Sequence, residues 1–230
     1  MNLKCATVRL LACVALLVLE GCASVPFQEH MSVPFGHKDP VEVRTAYSAG
    51  LPENVNLLSS LVFRYTFIGK VSALGTVQAD ISGRRFSAVG MSPLGVKLFS
   101  VEADSGGIRD RFVFGPLADK GDLAGAVAGD IWRIYYDLVP SNGARVRKKQ
   151  RSIEFIERFG DGFLVHVFAG PEGNLVMKKF YSHGVLRWKV GYYEYIREGG
   201  RLYPGGIVLT DYMSGYELTA RTKKIYDTKD

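Results

Sequence analysis

From residue 57 onward, apolar and polar positions alternate with period two, in short runs separated by turn residues. Leu61, Phe63, Tyr65 and Phe67 interleave with Val62, Arg64, Thr66 and Ile68. Further strands are predicted at 76–81, 84–91, 96–103 and 108–114, punctuated by Ser82-Gly83, Ser92-Pro93-Leu94-Gly95 and Asp104-Ser105-Gly106-Gly107. The pattern resumes at about 146–157, 162–169, 174–181, 185–197, 206–212 and 216–225. One segment departs from it. Asp122 is placed to cap a helix, and Leu123, Val127, Ile131, Ile134 and Tyr135 then share a face at helical spacing until Pro140 and Asn142-Gly143 end it.

About eleven strands and one clear helix predict a mainly β, single-domain fold over 53–230. So many antiparallel strands manage their edges only in a closed or strongly curved sheet. The expected form is a curved half-barrel with a helical lid, the five apolar helix positions facing the sheet. Its candidate interior is aromatic: Phe63, Tyr65, Phe67, Phe86, Phe99, Phe112, Phe114, Phe168, Trp188 and Tyr192. Such side chains either fill a core or line an apolar groove suited to acyl chains, and both readings stand at this point.

The first residues address the chain. Lys4 and Arg9 precede an apolar run at 10–19. Ten helical residues span about 15 Å, half a bilayer core, so this reads as a signal peptide over 1–21 and not a membrane span. It ends in Leu19-Glu20-Gly21-Cys22, which resembles the bacterial lipobox, with Glu20 as a departure. Cys22 is therefore the expected lipidation site; the alternative is a soluble export signal that happens to contain a Cys. Cys5 and Cys13 leave with the signal, so acylation would consume the last thiol. Ala23 after the Cys favours the outer membrane by resemblance to bacterial sorting rules. The stretch 22–52, with Pro26, Pro34, Pro40 and a repeated Ser-Val-Pro-Phe at 24–27 and 32–35, reads as the lipidated Cys and a tether, in which 41–51 is ambiguous and has room for a short helix before Pro52.

Composition and charge bear on the choice of partners. The formal net charge is +6 over 230 residues, with 47% hydrophobic and 23% charged. A dense basic run, Arg145, Arg147, Lys148, Lys149 and Arg151, suits anionic lipid headgroups or lipopolysaccharide; a solvated, edge-blunting strand face is the bland alternative. Export argues against nucleic acid. His30, His37, His166 and His183 show no metal spacing, and there is no Gly-x-Ser-x-Gly elbow, Walker motif or dinucleotide glycine pattern. The chain is expected to be a monomer, not an enzyme, and to need no cofactor.

The lipobox, the 91–99 stretch Met-Ser-Pro-Leu-Gly-Val-Lys-Leu-Phe, the helix after Pro116 and the strand Gly215-Tyr216-Glu217-Leu218-Thr219 together resemble the DUF3261 lipoprotein family. More distantly, 57–225 is similar to the LolA/LolB-like lipoprotein-sorting carrier and receptor fold. That resemblance implies an eleven-stranded curved sheet, a helical lid and an acyl-binding cavity. It implies membrane lipid or an acylated ligand as partner, with a periplasmic carrier protein as a further one. An Asn-Pro-Leu-Gly loop in the receptor presents a Leu to the membrane, and Ser92, Pro93, Leu94 and Gly95 match it with Ser in place of Asn. Burial of one Leu is worth about 2 kcal/mol, enough to orient a tethered domain. A Leu94 folded back onto the core is the alternative. Three acyl chains would hold the protein on the periplasmic face of a Gram-negative outer membrane, as acceptor or local chaperone. The competing expectation is a structural or assembly lipoprotein with a filled core that binds envelope protein partners.

Overall fold

The computed structural model describes residues 25–30, 32–65, 69–118 and 121–226. Cys22, the signal segment and Phe67 lie outside the described residues. One open sheet dominates, with strands in the order β5-β4-β3-β2-β1-β14-β13-β10-β9-β8-β7-β6. The strands are β1 (Asn54–Tyr65), β2 (Gly69–Asp80), β3 (Arg85–Met91), β4 (Lys97–Asp104), β5 (Gly107–Val113), β6 (Arg145–Lys149), β7 (Ser152–Phe159), β8 (Gly162–Ala169), β9 (Asn174–Ser182), β10 (Val185–Tyr193), β13 (Gly206–Asp211) and β14 (Tyr216–Ile225). Every pairing is antiparallel, and β11 (Ile196–Glu198) with β12 (Arg201–Tyr203) makes a separate hairpin. The main sheet thus holds 12 strands, close to the expected eleven. The predicted strand 146–157 divides into β6 and β7 at Gln150-Arg151, a turn in a polar run with neither Gly nor Pro to mark it. The predicted strand 185–197 divides likewise into β10 and β11.

Among the described residues three helices complete the fold: α1 (Pro40–Gly50), α2 (Gly115–Ala118) and α3 (Leu123–Tyr135). Asp122 caps α3 through its side chain, which accepts from the Gly125 amide. Ile131, Ile134 and Tyr135 are buried, and Leu123 and Val127 are partly buried against the same core. Both wings of the sheet contribute to that core: Phe86 and Val101 from one, Ile153 and Leu164 from the other. Two hydroxyls bolt the C-terminal end of α3 to the sheet. Tyr192 donates to the Ile134 carbonyl at 2.8 Å, and Tyr136 donates to the Arg85 carbonyl at 2.8 Å.

The expected tether is in large part a folded element. Asp39 caps α1, whose first residue is Pro40, and Val43 and Tyr47 are buried. Phe35 is fully buried, with its ring packed where a side chain on Gly173 would stand. Phe27 stacks on Tyr193 at 5.4 Å, under the Arg221 guanidinium. The two phenylalanines of the repeated Ser-Val-Pro-Phe, Phe27 and Phe35, are thus anchors into the domain, because burying an aromatic ring outweighs leaving a short segment free.

Candidate functional site

Register decides which end of the sheet is greasy. β1, β3, β5, β7, β9 and β13 end at one rim, where β2, β4, β8, β10 and β14 begin. Exposed apolar side chains gather there: Leu94, Val96, Phe114, Phe163, Val185 and Met213. The β3–β4 turn is held by Gly95 donating to the Ser92 carbonyl at 2.9 Å and Ser92 donating to the Val96 carbonyl at 2.8 Å. Gly95 has φ of +82°, which a side chain would strain. Leu94, between Pro93 and Gly95, is 92% exposed and therefore points away from the core.

Beneath α3 there is little room. The enclosed apolar space between α1, α3 and the sheet, lined by Tyr47, Leu57, Ile134, Tyr135, Tyr192 and Leu202 among others, measures about 20 Å³. That accommodates about one water molecule and no acyl chain. Phe86, Phe99, Phe168 and Tyr192, expected around a cavity, instead pack the core, and Phe63 lies partly buried against it. Tyr65, Phe112 and Phe114 are exposed at the rim or the β5 edge. A bulge between Ser100 and Val101 explains Phe112: the extra residue pairs it with Ser100, while Val113 pairs with the buried Phe99.

Beside α3 a groove of about 400 Å³ remains open, of a size that small amphiphiles occupy. Gly129, Trp132 and Arg133 of α3 form one wall, Phe159, Leu164, Lys178 and Trp188 of β7–β10 the other, and Arg84 and Asp137 close it. Of the expected aromatic lining, Trp188 alone among the described residues is here. Phe159 meets Phe180 edge-on at 6.0 Å, and Phe180 stacks on Trp188 at 5.7 Å. An aromatic path therefore leads from the rim, where Phe159 is exposed, into the groove.

The groove is also charged. Arg84 pairs with Asp137 at 3.0 Å and lies over the Trp132 ring at 5.3 Å. Arg133 pairs with the buried Asp211 at 2.7 Å and sits 5.8 Å above Trp188. Lys178 is 1% exposed, donates to the Tyr136 carbonyl at 2.6 Å and has no carboxylate within ion-pair distance among the described residues. Burial drives its ammonium down to about 7, against the pull of Asp137 and Glu157. Its cross-strand neighbour His166 shares a 2.8 Å hydrogen bond with the Asp137 carbonyl, and burial lowers its pKa to about 4. Asp130, hydrogen-bonded to the Tyr216 hydroxyl, is raised to about 6 by burial.

The basic run lies on and beside the edge strand β6. Arg147 and Lys149 clamp the buried Glu154, at 2.7 and 2.5 Å, and are structural as well as surface cations. Arg145, Lys148 and Arg151 remain exposed on that edge. A larger cleft of about 460 Å³ near the β2–β3 and β4–β5 turns is lined mainly by polar side chains, including Asn56, Gln78 and Glu102, and lacks the aromatic path.

No protein-family model matches the chain, and no curated protein matches it. Solved structures do. A LolA superfamily protein from Nitrosomonas europaea aligns with TM-score 0.53 and 11% identity, over 83% of this chain and 94% of its own. A domain from Vibrio parahaemolyticus assigned to outer-membrane lipoprotein sorting aligns with TM-score 0.50 and 9% identity, over 82% and 92%. A DUF1329 family protein from Desulfovibrio piger aligns with TM-score 0.51 and 10% identity, over 84% and 95%. At these identities the shared property is the fold, which is LolA-like.

Proposed function

We propose that this protein is a DUF3261-type envelope lipoprotein that binds a hydrophobic ligand at the outer membrane and helps place it there. The observation that carries the reading is the exposed apolar rim, with Leu94 at its most exposed point, running through Phe159 into the aromatic groove beside α3. The ligand site is this open groove and not a sealed cavity beneath the helix. The assignment of the Vibrio parahaemolyticus neighbour to lipoprotein sorting supports a lipid-handling role.

Anchor and rim are compatible in reach. The Pro26 carbonyl accepts from Arg221, which pairs with Ser60, five positions from Tyr65 at the rim, or about 17 Å along the strand. Cys22 precedes Pro26 by four residues, which extend at most about 14 Å, so an acylated Cys22 comes within a few ångströms of the rim's level and its acyl chains can enter the bilayer that the Leu94 turn meets. Because so little chain is free, the domain works against its own membrane as acceptor and not as a shuttle.

The test places a reporter at the rim. The full-length lipoprotein carrying Leu94→Cys with an environment-sensitive dye, reconstituted in vesicles, should show a blue shift and quenching by nitroxide lipids. A dye that stays fully hydrated contradicts the membrane-facing rim. One observation favours a second reading: the packed interior suits a structural or assembly lipoprotein that binds protein partners. In that case the rim still meets lipid or protein, but no hydrophobic ligand enters the groove.

A further inference from the structure

The groove that faces Trp132 and Trp188 carries three cations, Arg84, Arg133 and Lys178, against one carboxylate, Asp137. Two of the cations have carboxylate partners at close range. Lys178 does not: among the described residues its one hydrogen-bond partner is the Tyr136 carbonyl, although an ammonium has three donors. A buried cation without a counter-ion is costly, and an anion brought within reach of Lys178 would offset that cost. The surroundings restrict what that anion is attached to. Phe180 and Phe159 continue from Trp188 to the exposed rim, so the path out of the charged site is aromatic and apolar.

We infer that the groove binds an acid-headed, single-chain amphiphile, its carboxylate or phosphate oxygens held by Lys178 with Arg84 and Arg133, and its chain laid on Trp188, Phe180 and Phe159 toward the rim. This rests on the lipid-binding reading of the groove and narrows it to one chemical class. Arginine forks hold two oxygens at once, while lysine supplies a point charge, so the set accepts either head. Each guanidinium above a tryptophan ring gives one in-plane nitrogen to its carboxylate, Arg84 to Asp137 and Arg133 to Asp211, and has further in-plane donors to turn to a ligand.

Recognition should depend on pH. The groups facing Lys178 are Glu157 from β7, His166 from β8, Arg133 from α3, Asp137 after it and Arg84 from the β2–β3 turn; β10 contributes only Trp188 and Val190. Burial leaves Lys178 largely neutral above about pH 7. A bound anion restores its charge, so binding takes up a proton there, and affinity for a fully ionised acid falls as pH rises from 7 to 9.

The experiment titrates the full-length lipoprotein in phosphatidylcholine nanodiscs with dodecanoate, dodecyl phosphate and dodecanol, with protein-free nanodiscs subtracted. Calorimetry should find at least one of the acids about tenfold or more tighter than the alcohol, the order expected of a charge-assisted contact. Lys178→Met should erase that ratio while leaving dodecanol binding in place. Arg84→Gln, at an exposed position, repeats the test without touching the core and should reduce the ratio. Whichever acid binds more tightly distinguishes a fatty-acid from a phosphate-headed ligand. Dodecanol binding as tightly as both acids overturns the acid recognition and leaves the hydrophobic groove standing. Binding of none of the three overturns the groove reading itself.

Discussion

Lys178→Met removes a buried ammonium and keeps a chain of similar length. In the folded protein Lys178 titrates near about 7, against 10.5 for an unperturbed lysine. Between those values the unfolded chain holds a proton that the folded chain lacks, so stability rises with pH across that window. Each pH unit is worth about 1.4 kcal/mol. From pH 7 to 9, allowing for half-protonation at pH 7, the parent should gain about 2 kcal/mol that the variant does not. His166 and Asp130 are common to both proteins, so the difference isolates Lys178. At pH 7 the variant should also be the more stable. Its lost hydrogen bond to Tyr136 costs about 1–3 kcal/mol, less than the roughly 4 kcal/mol the displaced titration represents. Urea unfolding of both proteins at pH 7, 8 and 9 measures this directly. A parent whose stability runs parallel to that of the variant over this range would refute a buried, uncompensated amine.

Three further outcomes follow from the packing. Phe35→Ala should lower stability by about 3–5 kcal/mol, as for a core aromatic; an unchanged urea midpoint would return 26–38 to the role of a spacer. His166 is buried neutral with its pKa near 4, so between pH 6.5 and 4 the unfolded chain takes up the proton first. Stability should fall by up to about 3 kcal/mol over that interval, and denaturation at pH 7 and 4.5 should find a smaller fall in His166→Gln. Burial pushes the Glu154 carboxyl up, but hydrogen bonds from Lys149 and Arg147 hold it below its usual range. The double variant Arg147→Ala, Lys149→Ala should cost about 3 kcal/mol by stranding that charge, whereas Lys148→Ala should stay within about 0.5, read from thermal or urea midpoints.

The strands, the capped helix and the tight turn at Leu94 were legible because each rests on local chemistry: period-two alternation, Asp122 before an apolar helical face, and Pro93 and Gly95 in a turn; whether Leu94 faces out or folds back needed the structure. The groove was not legible, and Lys178 shows why. Leu175 is fully buried, and strict alternation from it puts Met177 inside and Lys178 outside. The register slips between Val167 and Phe168, where Met177 and Leu175 oppose consecutive residues of β8 and Val176 is left over. That bulge turns Lys178 inward beside His166. A similar slip opposite Ser100 turns Phe112 out of the interior it was expected to line. Pairing between distant strands sets these bulges, and no local run announces them. The segment 25–39 misled differently: its prolines suggest a spacer, while Phe27 and Phe35 find partners only once β8–β13 and β14 exist.

The chain contains two tryptophans, and both line the groove. Quenching of their intrinsic fluorescence by a fatty acid carrying a nitroxide on its chain therefore reports occupancy without any substitution. In phosphatidylcholine nanodiscs, a lipid-binding groove should give saturable quenching that excess unlabelled dodecanoate reverses. Quenching that grows only in proportion to added label, with no saturation and no reversal, would mean that the groove takes up no fatty acid and that this protein is not a lipid binder at that site.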